Sequence, residues 1–422
     1  MKKLYYKCEF RQLSPLRIGT GSGERTDNDL AKDSRGFPVI PGTSLAGVLR
    51  NLLSPQDAKT VFGYVTGGDN AKAVGSGVLV SDATLPADAT QTDFRISQRD
   101  GVGLSDNGTA KPHAKYDFEV VECDLPYTAI LELADDADAE KVQPLLEGAL
   151  RQAMAHNLRF GARSTRGFGL VSVSVCKREF SFPAQLDEWL VFDPQTDRIS
   201  DPLPDGETAA GKQAIQLDLT LVMQGSFSVR VYTTAMVPDN ETSVPDQIAL
   251  ENRKGEALIP GTSWAGSFRH HMRHLARNCG LNDDVLTQID ELFGVKANAK
   301  EKKRSEISFT ESAVHTRNRA TMTRNAIDRY TNAPRNQALF TTRVARGGEG
   351  HVSIQLPAET APTLLRLLAA AVNDLSLGLM TLGGEAGIGR GICSVTEARV
   401  NGIDKTAAMT ALRTDYLLGG EA

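Results

Sequence analysis

The 422-residue chain lacks the features of membrane-spanning, secreted and zinc-ribbon proteins. It contains no run of about 18 apolar residues, so we expect no membrane span. The N-terminal segment MKKLYYKCEF alternates polar and apolar residues as a strand does, and it has no apolar centre like that of a signal peptide. The five cysteines lie far apart without a CxxC pair, which argues against a zinc ribbon and predicts buried thiols in a cytoplasmic protein.

Aromatic residues and net positive charge are also scarce. Aromatics make up 6% of the chain, which argues against base stacking as the main mode of nucleic-acid capture. The net charge is −5, so the chain as a whole does not attract nucleic acid. Residues 296–346 nevertheless carry 12 lysines and arginines against four acidic residues. This segment indicates a local basic surface.

The chain does contain an internal repeat. Residues 40–50 read IPGTSLAGVLR and residues 259–269 read IPGTSWAGSFR, with eight of eleven positions identical. The segment FGARSTRGFGLVSV at 160–173 matches LGGEAGIGRGICSV at 382–395, and the two offsets, 219 and 222 residues, are nearly equal. We therefore predict a first unit over 1–183, an exposed Asp-, Pro- and Gly-rich linker over 184–213, a second unit over 214–400 and a tail over 401–422.

Each unit has the same order of predicted elements. An alternating strand is followed by a polar loop, a helix after Pro-Gly-Thr-Ser, further strands, a second helix and a closing strand. This order predicts an α+β fold made of two tandem ferredoxin-like units.

The start of the repeated helix is a candidate anion site, because the first amide groups of a helix are unpaired and carry partial positive charge. Thr43 and Ser44 are the predicted capping residues of the first copy. Gly47 and Gly266 lie one turn inside the helices and suggest the close approach of another backbone. We expect phosphate contacts at Gly42, Thr43, Ser44, Arg50, Gly261, Thr262, Ser263 and Arg269.

The glycine-rich segments form a second candidate site. Each places Gly-x-Gly between a helix and a strand, where backbone amides can approach a phosphate closely. Helix capping, close packing and tight turns would explain the same residues without any ligand. If the segments bind phosphate, we expect contacts from Arg163, Arg166, Gly167, Gly389 and Arg390.

Together, the polar loop, the IPG-S/T-S-x-x-G-x-x-R phrase, a later Phe-Gly and the glycine-rich end resemble the RAMP superfamily of CRISPR–Cas systems. The chain is most similar to the backbone subunits of type III effector complexes. Residues 321–344 resemble the β-hairpin "thumb" of these subunits, which implies RNA contacts by Arg324 and Arg329. The corresponding part of the first repeat has a Gly- and Asp-rich run instead.

The resemblance implies binding of the guide crRNA, complementary target RNA and other effector subunits, with no membrane. It also implies metal-dependent cleavage of target RNA, with Mg²⁺ or Mn²⁺ held by a loop aspartate. In the subunits that the chain resembles, the catalytic aspartate precedes a second aspartate by six residues. DNDLAKD places Asp27 six residues before Asp33, so the resemblance makes Asp27 the first candidate for catalysis and metal binding, with Asp29 as its alternative. In the second repeat Asp246 lies five residues, rather than six, before the acidic residue Glu251. Asp246 is the candidate there.

Three other functions remain open at this stage. One is a non-catalytic RNA-binding subunit with the same architecture. Another is a stand-alone guide-processing ribonuclease, in which His113 would act as acid or base. The third is a duplicated α+β protein unrelated to nucleic acid. His270 and His274 are spaced like zinc ligands on a helix, but no third ligand is recognisable.

Overall fold

The computed structural model describes residues 2–19, 29–66, 73–105, 110–122, 124–134, 138–207, 214–232, 245–252, 254–295, 303–316 and 318–418. The chain forms two compact units. The first comprises Met1–Gly101, Lys115–Ser164 and Phe168–Lys212, and the second comprises Val102–Ala114, Thr165–Gly167 and Gln213–Ala422. No helix among the described residues is long and apolar enough to cross a membrane.

The elements of the first repeat and the segment after it are, in chain order, β1 Lys2–Gln12, α1 Gly42–Arg50, α2 Pro55–Phe62, β2 Tyr64–Val65, β3 Ala73–Val74, β4 Val78–Val80, β5 Ile96–Leu104, β6 Ala110–Val121, β7 Pro126–Leu133, α3 Ala139–His156, β8 Leu158–Arg159, β9 Leu170–Ser181, α4 Leu186–Leu190 and β10 Asp201–Pro202. The main sheet has the antiparallel order β10-β9-β1-β7-β4. Strand β1 thus lies between β9 and β7, which correspond to the fourth and third strands of a ferredoxin-like fold.

The elements of the second repeat are β11 Ala214–Met223, β12 Ser226–Phe227, β13 Arg230–Tyr232, β14 Gln247–Ala249, β15 Ala257–Ile259, α5 Gly261–Asn278, α6 Asp283–Phe293, β16 Ser308–Phe309, β17 Ser312–His315, β18 Arg319–Ile327, β19 Pro334–Arg346, β20 Glu349–Pro357, α7 Pro362–Ser376, β21 Cys393–Val400, β22 Ile403–Asp404 and α8 Thr406–Thr410. The main sheet has the order β15-β17-β20-β11-β21-β22. Strand β11 holds the place of β1, and the predicted repeat of a ferredoxin-like unit is confirmed.

Alternation along the strands directs one face of each sheet into a core, because successive side chains of a strand point to opposite faces. In β1 the inward residues Leu4, Tyr6, Cys8 and Phe10 are buried with the apolar residues of α1 and α3. In β11 the inward residues are Leu217, Leu219 and Leu221, and they are buried with residues of α5 and α7. The helices therefore cover one face of each sheet.

The opposite face differs between the two sheets. In the first unit, Tyr5, Ile130 and Phe180 form an outer apolar cluster with residues that follow β9: Phe182, Trp189, Phe192 and Ile199. Residues 184–207, the described part of the predicted linker, are mostly exposed, but Trp189, Phe192 and Ile199 pack against the first unit. The aromatic residues hold this segment there, because burying apolar surface against Tyr5 and Phe180 outweighs solvation of the segment.

In the second unit the outer face carries polar side chains such as Asp218, Thr220 and His351, and it has no comparable apolar cluster among the described residues. The C-terminal tail packs elsewhere in this unit. Its residues Met409, Tyr416 and Leu417 are buried in the core beside α7. The tail is therefore part of the second unit's fold.

A β-hairpin projects from each repeat. Strands β5 and β6 form a separate two-stranded sheet. Strands β18 and β19 pair antiparallel from Arg319–Ala345 to Ile327–Pro334. The hairpin predicted from the thumb-like sequence is therefore present, and the divergent segment of the first repeat also folds as a hairpin.

Candidate nucleic-acid interface

The repeated Pro-Gly-Thr-Ser phrase starts a helix in both units, but its hydroxyl groups do not cap the helix. The N-cap residues are Pro41 and Pro260, without a side-chain capping bond. The amides of Ser44 and Ser263 donate to the carbonyls of these prolines, at 2.8 and 2.9 Å. The prediction that Thr43 and Ser44 cap the helix is wrong. The helix starts at Gly42, two or three residues earlier than capping by Thr43 or Ser44 predicts.

Close backbone packing explains the glycines of this phrase. A Cβ on Gly42 would lie 2.5 Å from the carbonyl oxygen of Val80, and one on Gly261 would lie 2.3 Å from that of Arg166. The Gly42 amide donates to the Asp82 carboxylate at 2.7 Å. In the first unit, a carboxylate therefore already occupies part of the helix N-terminus that the sequence predicts as a phosphate site.

The mid-helix glycines have a different environment. A Cβ on Gly47 or Gly266 would have no atom within 4 Å outside its own helix. Within the described residues, no protein backbone approaches either glycine, so close packing inside the chain does not explain them. At these two positions the helix surface therefore carries no side chain.

The arginines that end the repeated phrase have different partners. Arg50, at the end of α1, is half-buried, and its side chain makes no hydrogen bond or ion pair with the described residues. Arg269 is bound to Asp290 through Nε at 3.1 Å and a terminal nitrogen at 2.8 Å. Arg273 contacts the same carboxylate at 2.5 Å. Arg50 is thus the more available of the two candidate phosphate ligands.

The two glycine-rich loops follow the same path. Phe160 and Leu382 each donate their amide to the second Gly of Gly-x-Gly, Gly169 or Gly391, at 2.9 Å. A Cβ on Gly169 would lie 1.9 Å from the Phe160 carbonyl oxygen, and one on Gly391 would lie 2.0 Å from that of Leu382. Both glycines have positive φ. Only glycine fits this close approach.

Each loop also anchors to the segment that follows the first strand of its repeat. In the first repeat the Ala162 amide donates to the Arg17 carbonyl at 2.8 Å. In the second repeat the Gly384 amide donates to the Ser228 carbonyl at 2.9 Å. In both loops the next residue is not glycine but has positive φ. It is Arg163 at 61° in the first loop and Glu385 at 64° in the second.

These two residues give the loops opposite charge. The Arg163 guanidinium lies over the rings of Phe118 and Tyr116, at 4.3 and 4.9 Å from their centroids. Glu385 instead binds two of the predicted RNA ligands, Arg324 at 2.5 Å and Arg390 by a short ion pair. Arg390 is only 3% exposed. Both arginines therefore share one carboxylate partner within the second unit.

Arg166 and Gly167 are held within the second unit. The Arg166 guanidinium donates to the carbonyl of Phe293 at 2.8 Å and to that of Ile307 at 3.2 Å. A Cβ on Gly167 would lie 2.5 Å from the Glu311 amide nitrogen. These contacts give both residues a structural role. Gly389, at the matching position of the second loop, is exposed with open space around it.

The tip of the β18–β19 hairpin is exposed and mixed in character. Asp328 accepts the amides of Tyr330 and Thr331 at 3.0 Å each, which forms the turn and lowers the pKa of the Asp328 carboxyl. Tyr330 is 98% exposed and Ile327 is 62% exposed. Arg329 lies between them, exposed and without an ion pair to the described residues. The tip thus offers a cation and apolar surface to a partner.

The family model described as the RAMP superfamily matches residues 9–172 and 225–394, which is more than half of the chain. The chain belongs to the RAMP superfamily. No curated protein matches it. Family membership makes this RAMP protein a CRISPR-associated RNA-binding subunit, which binds crRNA and other Cas subunits. The two matched segments coincide with the two ferredoxin-like repeats.

The candidate catalytic residues of this RAMP protein lie in the loops that follow the first strands. Asp27 is outside the described residues. Its loop is closed by a bridge between Gly19 and Leu30, and the half-buried Asp29 lies next to that bridge. Asp33 binds Arg35 and the Phe37 amide. Burial tends to raise the pKa of Asp33, but these bonds outweigh it and lower the pKa.

Asp246 of the second repeat is tied to the hairpin. Its amide donates to the Thr341 carbonyl at 2.9 Å, and its Oδ2 accepts the Thr341 amide at 2.7 Å. The residue is exposed. This ring of two bonds fixes the position of the carboxylate against β19.

The described residues contain no group of three or more His, Cys, Asp or Glu side chains that could hold a metal ion. His271 Nε2 lies 2.6 Å from Asp374 Oδ2, and His274 Nε2 lies 2.9 Å from the Asn278 amide nitrogen. His271 and His274 of α5 thus have protein partners. A metal at Asp246 would need most of its ligands from water and RNA oxygens.

Sequence reasoning missed several residues of this surface. Arg17, Tyr116 and Phe118 surround Arg163, and Asp82 and Glu385 place carboxylates at predicted phosphate sites. Glu385 could have been found from the aligned loops, whereas Arg17 lies outside them. The contributions of Asp82 and Tyr116 depend on tertiary contacts alone.

Proposed function

We propose that this protein is a crRNA-binding backbone subunit of a type III CRISPR effector complex and contributes metal-dependent cleavage of complementary target RNA. One observation carries the proposal. Each repeat brings a glycine-rich loop, held by the same backbone bonds, to the segment that follows its first strand. Two loops with the same backbone path in one chain suit a polymer with a repeating backbone, because each unit can bind a successive stretch of phosphates.

The hairpins would contact the guide–target duplex. Exposed Tyr330 and Ile327 at the β18–β19 tip provide apolar surface, and Arg329 provides charge. Aromatic residues are scarce in the chain, which favours recognition of the RNA through its backbone and shape. Guide pairing then supplies the sequence specificity.

Cleavage is assigned to the Asp27 loop. RNA breaks when a 2′-hydroxyl attacks the adjacent phosphate in line, and a protein accelerates this by fixing one nucleotide in that geometry. Asp27 would supply a carboxylate ligand, with Asp29 as the alternative. A bound Mg²⁺ or Mn²⁺ would assist loss of the hydroxyl proton and stabilise the developing charge. Asp246 is the second candidate, in the second repeat.

For the second repeat alone, RNA binding without cleavage is a second candidate function. Because Asp246 Oδ2 already accepts the Thr341 amide, this aspartate has a structural explanation without a metal. On this view the second repeat binds RNA without cutting it, and the chain contributes one cleavage site.

The test is the fragment pattern of an end-labelled complementary RNA cut by the assembled effector. We expect Asp27→Asn to remove one cut and leave the neighbouring cuts. The matched variants Asp29→Asn and Asp246→Asn test the alternatives, and chelation by EDTA should stop all cutting. An unchanged pattern with all three variants would refute the catalytic assignment. Cutting that persists in EDTA would favour guide processing.

A further inference from the structure

A cluster of cations and aromatic rings lies at the base of the β5–β6 hairpin in the first unit. The guanidinium groups of Arg17 and Arg163 lie 4.7 and 4.3 Å from the centroid of Phe118. Tyr116 stacks on Phe118 with 6.0 Å between centroids. The Arg17 carbonyl also accepts the Ala162 amide, so the two arginines belong to segments that are bonded together.

Neither guanidinium has a carboxylate partner among the described residues. Arg17 is only 8% exposed, and its Nε has no hydrogen-bond partner. A third arginine nearby, Arg99, is different, because its guanidinium pairs with Glu122 at 3.2 Å. A buried cation without a counter-charge costs free energy, and most proteins avoid it. The arrangement therefore requires a different source of negative charge.

The geometry also leaves the donors of these arginines available. An arginine over an aromatic ring uses the face of its guanidinium, and its N–H groups point outward in the plane. Burial and the positive charge of Arg163 lower the pKa of Arg17, while Tyr116 raises it. An anion bound by the two guanidinium groups would relieve this repulsion.

We propose that Arg17 and Arg163 form a phosphodiester-binding site for single-stranded RNA at the base of the first hairpin. The inference rests on the proposed RNA-binding function and adds a specific subsite to it. Arg17 lies two residues before Gly19, where the loop that contains Asp27 begins. A phosphate held there would position the RNA strand next to that loop.

The second repeat provides an internal comparison. There the loop residue that matches Arg163 is Glu385, and the residue that matches Arg17 by its carbonyl bond is Ser228. Its arginines are paired with Glu385. Among the described residues, the second repeat therefore lacks a matching pair of arginines without a carboxylate partner, and the two repeats should contribute unequally to RNA affinity.

The test uses the full chain and a fluorescent single-stranded RNA oligonucleotide, with affinity measured by anisotropy over a series of KCl concentrations. We expect Arg163→Gly to weaken binding about tenfold or more. Glycine suits the positive φ of this position, so the fold should persist. The slope of log affinity against log salt should become shallower by about 0.7, as for one lost phosphate contact. Arg163→Lys should keep the slope.

The control is Arg178→Gln, which removes one half-exposed arginine from the same unit and should leave affinity and slope nearly unchanged. Arg17→Gln should weaken binding as Arg163→Gly does, and urea unfolding checks that each variant is folded. If the wild type binds RNA and folded Arg163→Gly binds with the same affinity and slope, the subsite is wrong but the proposed function stands. If the wild type binds no RNA, both are wrong.

A further arm separates an RNA phosphodiester from a free anion. Inorganic phosphate is titrated while the Tm of the wild type and Arg163→Gly is measured. If phosphate raises only the wild-type Tm and RNA affinity does not differ between the two proteins, the site binds a small anion and the phosphodiester assignment is overturned. Competition between phosphate and RNA, lost in Arg163→Gly, would support it.

Discussion

Residues 160–169 of the first repeat and residues 382–391 of the second share one backbone path and differ in charge at the same position. Arg163 places a cation over two aromatic rings, whereas Glu385 forms ion pairs with Arg324 and Arg390. The glycines preserve the shape because their backbone contacts admit no side chain. The comparison teaches that a duplicated scaffold can keep its geometry while its two copies acquire different electrostatic roles.

The outer faces of the two sheets differ in a similar way. The first carries an apolar cluster that the segment after β9 covers, and the second carries polar residues. If the shared backbone path and the differing surfaces contribute separately to stability, variants at each should change the free energy of unfolding by different amounts.

The largest effect should come from breaking the shared backbone path. We expect Gly169→Ala and Gly391→Ala to lower the free energy of unfolding of the affected unit by about 3 kcal/mol each, because a Cβ would clash with a carbonyl oxygen at positive φ. Urea unfolding with hydrogen exchange would locate the loss. Gly389→Ala, at positive φ in open space, should cost only about 1 kcal/mol. Unequal losses at Gly169 and Gly391 would contradict a shared design.

A smaller effect should come from the charge difference. Glu385→Gln leaves buried Arg390 without its carboxylate, and we expect it to destabilise the second unit by about 2 kcal/mol. Arg163→Gly has no ion pair to lose and should cost less. Thermal unfolding of the two variants measures the difference. Equal losses would mean that the Glu385 pairs contribute little.

The covered outer face should contribute a comparable amount. The Phe192 ring lies 5.2 Å from that of Tyr5 and 5.0 Å from that of Phe180. We expect Phe192→Ala to destabilise the first unit by about 2 kcal/mol, since it removes half-buried aromatic surface. Leu190→Ala in the same segment, at a position 65% exposed, should change stability by under about 0.5 kcal/mol. If both variants match the wild type in urea unfolding, the segment does not stabilise the sheet.

The smallest effect is a pH dependence of the first unit through Glu147 of α3. Burial tends to raise the pKa of Glu147, but bonds from Gln143 and Tyr6 and the charges of Lys177 and Arg151 outweigh it and lower the pKa. The folded protein thus binds this proton less readily than the unfolded chain. The resulting stability is present above the ordinary glutamate pKa, about 4.5, and is lost as pH falls through the lower folded-state pKa.

The measurement is urea unfolding at a series of pH values between about 6 and 3, which spans the glutamate range. Glu147→Gln should reduce the decline in stability of the first unit on acidification and leave the second unit unchanged. A decline as steep as that of the wild type would exclude Glu147 as its source.

The duplication, the ferredoxin-like order of elements and the hairpin of the second repeat could all be predicted from the amino-acid sequence. Alternation in β1 and β11 and the repeated Pro-Gly-Thr-Ser phrase are local patterns, and local backbone preferences and apolar periodicity are legible without a structure. The glycine-rich loops belong to this class too, because only glycine fits their positive φ and close carbonyl contacts.

Tertiary structure alone decided how the charges are used. Nothing local shows that Asp82 binds the Gly42 amide, that Glu385 binds Arg324 across 61 residues, or that the segment after β9 covers the first sheet. Arginines with similar sequence surroundings thus divide into paired and unpaired ones. The physical reason is that an ion pair or a buried face depends on which distant groups meet in space, and that depends on the packing of the whole unit.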